Sequence, residues 1–287
     1  MHQPISSLNL PDFKIQELQT VGYHYCTDAN KSEKKFASKI QISQWDDLVH
    51  TPKTRSALDI YQEECVSGTI LTSSKELDEA LGGGIPVGLI TEFCGEPGCG
   101  KTQVCFHLCV NVQLPLWCGG MAGQSIYIST NKGFASHRLR EIATACVNNY
   151  LSFKAKHCIL ATSNNDEFCV QSIMRNIRYI GINSHVELVA AFKCMRHWLQ
   201  ENLMIRLVVI DSISAPLKKT EFKERTQMLY NICNDLQILA QQFKFAIIFT
   251  NDMTTRITSA NSPYHTPSLG DSYYHRINVR VQLSKKD

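Results

Sequence analysis

Eight consecutive residues, Gly95-Glu96-Pro97-Gly98-Cys99-Gly100-Lys101-Thr102, carry the spacing GxxxxGK[ST]. A backbone that curls around a phosphate with its N–H groups turned inward needs glycine where the curl is tightest. In that setting Lys101 has the reach and the charge to meet β and γ phosphates, and the Thr102 hydroxyl can ligate Mg2+. A helix opening near residue 101, with Gln103 in its first turn, would aim its positive end at the same anion. The plain alternative is a glycine-rich turn that binds nothing; ordinary residue frequencies put a chance match at about 1% for a chain of this length. The apolar run before the loop and the amphipathic segment after it supply the strand-then-helix setting that phosphate binding requires. Cys99 lies beside the helix start, where a thiol can gain acidity, and reads as a variable loop position.

A second signal is Leu207-Val208-Val209-Ile210-Asp211, an apolar run closed by an acid. Downstream of a phosphate loop, such an Asp holds Mg2+ through its water shell. Taken alone it is also an ordinary strand whose last residue caps the next turn. The distance from Lys101 to Asp211 leaves room for two intervening strands, which points away from small nucleoside-monophosphate kinases and towards a RecA-like core. The 10 histidines show no metal spacing; His185 and His197 share one predicted helix and read as surface or satisfied core residues.

The chain from residue 70 onward supplies a scaffold for these groups. Short apolar runs at 89–94, 125–129, 177–182, 206–211, 245–250 and 278–283 alternate with helical segments at 101–114, 135–150, 185–202 and 224–243. Apolar runs without period-two alternation fit strands buried on both faces. Strand and helix in repetition predict an α/β fold with a mostly parallel central sheet. Upstream, residues 1–45 read as a small helical segment near the size limit for an independent core. Pro11 and Asp12 open its helix, and KSEKKFASK (31–39) is polar and basic. Residues 46–68 hold a linker, HTPKT, and a helix, SALDIYQEEC, ended by Gly68; residues 69–287 form the core.

Composition bounds the partners. With 287 residues, 44% hydrophobic and 19% charged, the chain is globular. Its 29 Lys+Arg against 26 Asp+Glu give a net charge of +3, so any nucleic-acid contact must be a local strip on a nearly neutral surface. The 12 cysteines form no CxxC pair and fall mostly in apolar runs, which predicts buried free thiols and a reducing compartment. No basic-then-apolar leader opens the chain, and no apolar run approaches the roughly 18 residues of a membrane span, so neither secretion nor membrane insertion is expected.

The stretch SALDIYQEECVSGTILTSSKELDEALGGGIPVGLITEFCGEPGCGKTQ (56–103) resembles the eukaryotic RecA-type strand-exchange recombinases and their paralogues. In that family a Thr/Ser run, an LD..LGGG.P.G..TE..G segment and the phosphate loop occur in this order. Thr102-Gln103, ATAC at 143–146, the LVVID strand and TN-x-MTT at 250–255 are most similar to the paralogue lettered C. LPDFKIQELQTVGY (10–23) gives a fainter echo of the family's N-terminal helical domain. The resemblance implies a RecA-like P-loop NTPase core that takes ATP with Mg2+. It also implies contacts to single-stranded or branched DNA through two loops, and hetero-oligomeric assembly with other recombinase-paralogue subunits. Its setting would be homologous-recombination DNA repair, meiotic recombination included, in the nucleus. Two alternatives stay open: a fully active DNA-dependent ATPase and strand-exchange enzyme, and a structural adaptor whose nucleotide stabilises an interface without direct DNA contact.

The chain departs from the family pattern where hydrolysis occurs. Active members end the second core strand in D-T-E-G, whose Glu orients or deprotonates the attacking water; here Ile128-Ser129-Thr130-Asn131 places Asn131 at that position. An amide can hydrogen-bond a water but cannot take its proton, and loss of general-base help costs about 10²–10⁴ in rate. Thr250-Asn251-Asp252 stands where the family has TNQ, whose Gln senses the γ-phosphate. A carboxylate there repels phosphate unless Mg2+ or a basic side chain intervenes; alternatively Asp252 points to solvent or to a partner. The expectation is a chain that binds ATP and hydrolyses it slowly, or only with a partner.

Phe134 and Arg138 match F-x-x-x-R, in which the Arg lies over adenine; Arg138 reads equally as a solvated helix-face residue. The first DNA loop corresponds to 212–225, with Lys218, Lys219, Lys223 and Arg225 as phosphate contacts. Glu221 and Glu224 dilute that field, so a solvated loop and helix start is an equal reading. The second loop opens Met253-Thr254-Thr255-Arg256 and runs through SANSPYHTPSLGDS as a mobile loop, with Arg256 as its phosphate candidate and Tyr264 as a residue able to stack a base.

Overall fold

The structure, a computed structural model, describes residues 4–7, 12–25, 54–156, 168–218, 220–257 and 263–285. The basic stretch 31–39 and Lys219 lie outside the described residues. The chain divides into two compact units, Met1–Gln62 and Glu63–Asp287. In the first, α1 (Asp12–Thr20) follows a 3-10 turn at Ile5–Ser7, and Ile5 and Leu18 are buried. The Ile5 amide donates to the His24 carbonyl at 2.9 Å, which closes this piece on itself. The next described helix, α2 (Ala57–Ser67), starts with a reciprocal cap: the Ser56 amide donates to Asp59 at 3.2 Å and the Asp59 amide to the Ser56 hydroxyl at 3.1 Å.

The second unit runs β1 (Thr69–Ile70), α3 (Lys75–Ala80), β2 (Ile85–Pro86), β3 (Ile90–Gly95), α4 (Lys101–Asn111), β4 (Gln124–Ser129), α5 (Ser136–Lys156), α6 (Val170–Arg175), β5 (Ile177–Gly181), α7 (His185–Glu201), β6 (Ile205–Asp211), α8 (Phe222–Phe243), β7 (Ala246–Ile257), β8 (Pro263–Pro267), α9 (Asp271–Tyr274) and β9 (Val279–Leu283). Its main sheet has seven strands in the order β5-β4-β6-β7-β3-β9, with β8 attached to β7. The six ordered strands pair in parallel and β8 pairs antiparallel. This is the α/β fold with a mostly parallel central sheet that the alternating apolar runs predict.

Strand parity splits the core into two layers. Ile126, Ile128, Val208, Ile210, Ile247 and Phe249 pack on one face against Leu188, Met195 and Leu199 of α7 and Leu229, Ile232 and Leu236 of α8. Tyr127, Leu207, Val209, Ala246 and Ile248 pack on the other against Cys105, Phe106 and Cys109 of α4 and Leu139 and Ile142 of α5. Both faces are therefore covered, and the polar ends of the strands gather at the C-terminal edge, where open α/β sheets bind ligands.

Two features depart from the expectation. The second DNA loop is not a mobile loop at its start: β7 continues through Met253, Thr254, Thr255 and Arg256, and these residues pair with β8, Thr254 opposite Thr266 and Thr255 opposite His265. β-Branched Thr favours the extended backbone, and a polar two-stranded arm carries no apolar periodicity to reveal it. The β1–β2 ladder is likewise too short for a pattern. It explains part of the glycine run: a Cβ on Gly84 would stand 2.6 Å from the Ile70 carbonyl oxygen.

Among the described residues no helix is long and apolar enough to cross a membrane. Cys94, Cys105, Cys109 and Cys233 are buried and free, as the apolar runs suggested. Burial pushes the Cys109 and Cys233 thiols up to about 12 and Cys94 up to about 11, and raises Cys105 well above its ordinary value. In the folded protein at mildly alkaline pH, an alkylating reagent is expected to modify the exposed Cys65 and Cys194 and to leave the buried four unlabelled until denaturant is added. Site-resolved mass spectrometry reads this directly, and rapid native labelling of Cys105 or Cys109 would contradict the packing.

Candidate functional site

The loop between β3 and α4 is shaped for an anion. Gly98 and Gly100 take left-handed φ values of +78° and +99°, and Gly100 precedes α4 without a side-chain cap, leaving first-turn amides for an incoming group. Gly95 has no room for a side chain: a Cβ would lie 2.4 Å from the Leu283 carbonyl oxygen and 2.5 Å from Cys99 Sγ. Glu96, Pro97 and Gly98 form the exposed rim, whereas Cys99, Gly100, Thr102 and Gln103 are half-buried. Lys101 is only 9% exposed. Its Nζ donates to the carbonyls of Gly95 at 2.6 Å and Glu96 at 3.1 Å, so the ammonium is held across the loop mouth.

Asp211 is 2% exposed at the end of β6. Three hydroxyls donate to its carboxylate: Thr102 at 2.7 Å, Tyr127 at 2.6 Å and Thr250 at 2.6 Å. Burial pushes the Tyr127 phenol far above its ordinary value, so it serves as a donor. The Thr102 proton is committed to Asp211, which leaves the oxygen lone pairs of Thr102 for a cation. Among the described residues no group of three or more His, Cys, Asp and Glu could hold a metal by itself. Thr102, with Asp211 behind it, would offer a Mg2+ the oxygen donors that such a hard cation takes.

Asn131 follows β4, next to Thr130, whose hydroxyl donates to the Ser212 carbonyl at 2.6 Å. Its amide side chain is exposed; Oδ1 accepts from the Gly133 amide at 2.9 Å and Nδ2 reaches Asp211 at 3.5 Å. The segment is anchored by Phe134, whose ring packs on Phe106, Tyr127 and Tyr179 with centroids 5.5, 5.1 and 4.5 Å away. Arg138, in the first turn of α5, donates to Gln103 at 2.8 Å and to Glu141 at 2.7 Å. It is thus tied to the helix that opens at the phosphate loop.

The β3–β7 register sets Asp252 opposite Gly95. Its carboxylate points neither to bulk solvent nor away from the loop: Oδ1 lies 3.7 Å from Lys101 Nζ and Oδ2 lies 3.0 Å from Lys218 Nζ. A basic side chain therefore does stand beside this carboxylate. Lys218 is exposed and bends toward Asp252, apart from the other basic candidates. Lys223 and Arg225 occupy the first turn of α8, and Arg256 on β7 pairs with Asp271 at 3.2 Å.

Three partners escape the motif reading. Tyr127 and Thr250 meet Asp211 only because β4, β6 and β7 are neighbours; the single clue is a hydroxyl residue interrupting an apolar run. Glu92, fully buried inside β3, pairs with Arg280 and accepts from Asn251 at 2.8 Å, which fixes β7 one residue before Asp252. Its clue is an acid in the middle of LITEFC.

Thr250→Val keeps the side-chain volume and removes one donor from a buried carboxylate. A loss of about 2 kcal/mol in stability is expected, seen as a Tm several degrees lower in thermal unfolding; an unchanged Tm would show that the Thr250–Asp211 bond is not made.

Comparison with known proteins places this architecture. Residues 63–287 match the model of the Rad51 family. The chain is 32% identical over 268 residues to the DNA repair protein RAD51 homolog 3 of Cricetulus griseus, covering 87% of this chain and 71% of that protein. It is 32% identical over 233 residues to RAD51 homolog 3 of Dictyostelium discoideum, covering 79% of this chain and 60% of the relative. It is 34% identical over 242 residues to RAD51 homolog 2 of Mus musculus, covering 74% and 64%. The chain thus spans less than two thirds of the length of the latter two. The matched region holds the whole sheet, the phosphate loop and Asp211, and the chain belongs to the Rad51 family as a RecA-type recombinase paralogue.

Proposed function

We propose that this chain binds ATP with Mg2+ in the β3–α4 loop and serves homologous-recombination DNA repair, meiotic recombination included, as one subunit of a nuclear hetero-oligomer of recombinase paralogues. Residues 69–287 act as the ATP-binding core, and the upstream residues, 1–45 with the 46–68 linker and helix, as its appendage. The observation that carries the reading is an imbalance within one site. The binding parts are complete, with Lys101 across the loop mouth and Thr102 bonded to the buried Asp211, while the position of the water-activating acid carries Asn131.

In this reading the loop amides and Lys101 bind the β and γ phosphates, and Thr102 and Asp211 would hold Mg2+, whose charge offsets that of the phosphates. Arg138, steadied by Gln103, is placed to cover the base. Asn131 can orient a water through its amide but leaves the proton on it. Hydrolysis is then weak or depends on a partner that supplies a base. A fully active strand-exchange enzyme is less well supported for the same reason.

Lys223, Arg225 and Arg256, with Lys219, are the proposed contacts to single-stranded or branched DNA. The adaptor reading has its own support, since Lys218 and Arg256 are both engaged by acids.

Single-turnover hydrolysis by the isolated chain is expected to be slow, and Asn131→Glu to raise it at least about tenfold, a fraction of the 10²–10⁴ range of general-base help. A fast wild-type turnover would refute the account of Asn131. For DNA, the salt slope of single-stranded DNA binding is expected to fall by about 1.4 units in a Lys223→Ala, Arg225→Ala variant, roughly 0.7 for each phosphate contact removed. Absence of salt-dependent binding in the parent chain would favour the adaptor.

A further inference from the structure

We propose that Lys218 is a second lysine of the nucleotide site, reading the terminal phosphate of a nucleoside triphosphate, with Asp252 as the residue that positions it there. The proposal rests on the nucleotide-binding reading above and assigns Lys218 to nucleotide instead of DNA.

The segment that carries Lys218 is anchored at the sheet edge. The Ile213 amide donates to the Thr250 carbonyl at 3.0 Å, and the 3-10 turn Ala215–Leu217 buries Leu217 completely. Lys218 follows directly, and its ammonium lies 3.0 Å from Asp252 Oδ2. Asp252 is held from the other side, where strand register sets it opposite Gly95, the first residue of the phosphate loop. Its second oxygen faces Lys101 at 3.7 Å, and the Ser214 hydroxyl approaches at 3.5 Å. The carboxylate thus bridges two lysines, and one of them is the phosphate-loop lysine.

Charge decides what this bridge does. Lys101 with a neutral residue at position 252 would present one positive charge to the outer phosphate. With Asp252 alone that charge is cancelled, and a phosphate arriving at Lys101 meets a carboxylate. Lys218 restores the balance, since two ammoniums against one carboxylate again leave one positive charge. The effect is larger for a triphosphate than for a diphosphate, because the triphosphate brings more negative charge to the Lys101 ammonium. Lys218 is 61% exposed on its side chain and Asp252 32%, so solvent screens the pair and the expected effect is moderate.

The test is a double-mutant cycle read by calorimetric affinity for ATPγS and for ADP, both with Mg2+, on the full chain. Lys218→Met is expected to weaken ATPγS about fivefold to tenfold and ADP less than about threefold. Adding Asp252→Asn is expected to restore ATPγS affinity to within about threefold of the parent, because the carboxylate left unbalanced is gone. Equal weakening of both nucleotides, no weakening, or no rescue would overturn the proposal. A drop of about one unit in the salt slope of DNA binding on Lys218→Met would do so too, returning Lys218 to DNA. Thermal unfolding of each variant separates these outcomes from misfolding, which the Asp252→Asn rescue also addresses. Failure of the parent to bind either nucleotide refutes the nucleotide-binding reading itself and the proposal with it; ADP binding without an ATPγS-specific effect refutes the proposal alone.

Discussion

A buried carboxylate is tolerated only when its lone pairs are met, and the phosphate-loop end of the sheet is organised around that condition at Asp211. The carboxylate has almost no contact with water and accepts from three hydroxyls on three different elements: Thr102 of α4, Tyr127 of β4 and Thr250 of β7. Meeting the demand of one side chain therefore fixes the start of α4 relative to the strands beside β6. The phosphate loop is the connection between β3 and that helix, so its shape follows from the same constraint. A second buried acid, Glu92 on β3 of the same sheet, does comparable work by holding Asn251 and Arg280.

The site holds one part that keeps the phosphate-loop motif and a second part that departs from the family pattern given by the sequence. Lys101, Thr102 and Asp211 form one connected set. Asn131 and Asp252, the two departures from the family pattern noted in the sequence, are both tied into the structure. Asn131 bonds the Gly133 amide, and Asp252 bridges Lys101 and Lys218. These bonds are the basis of the proposal that the chain holds a nucleotide within an assembly and turns it over slowly.

The parts legible in the amino-acid sequence were those encoded over a few neighbouring residues. The phosphate loop is local, so glycine and lysine spacing reveals it. Each long strand and helix of the core is legible because burial on both faces writes an apolar run into β3, β4, β6 and the first half of β7. What depends on strand order was not legible. Tyr127 and Thr250 are remote from Asp211 along the chain and reach it only through the pairing of β4, β6 and β7. The Lys218–Asp252 pair is hidden in the same way: the two residues are 34 positions apart and meet only where the chain leaving β6 comes beside β7. The outer half of β7 resembles a loop in the sequence because Thr254, Thr255 and Arg256 are polar on both sides, and a polar arm has no hydrophobic pattern.

The most direct test of the central role given to Asp211 is an experimental structure of the chain with Mg2+ and ATPγS. The account predicts phosphates cradled by residues 95–102, Mg2+ on the Thr102 oxygen at about 2.1 Å, and the Asp211 carboxylate still bonded to the Thr102, Tyr127 and Thr250 hydroxyls behind it. Nucleotide bound elsewhere, or bound here with the Asp211 cluster dispersed, would contradict it.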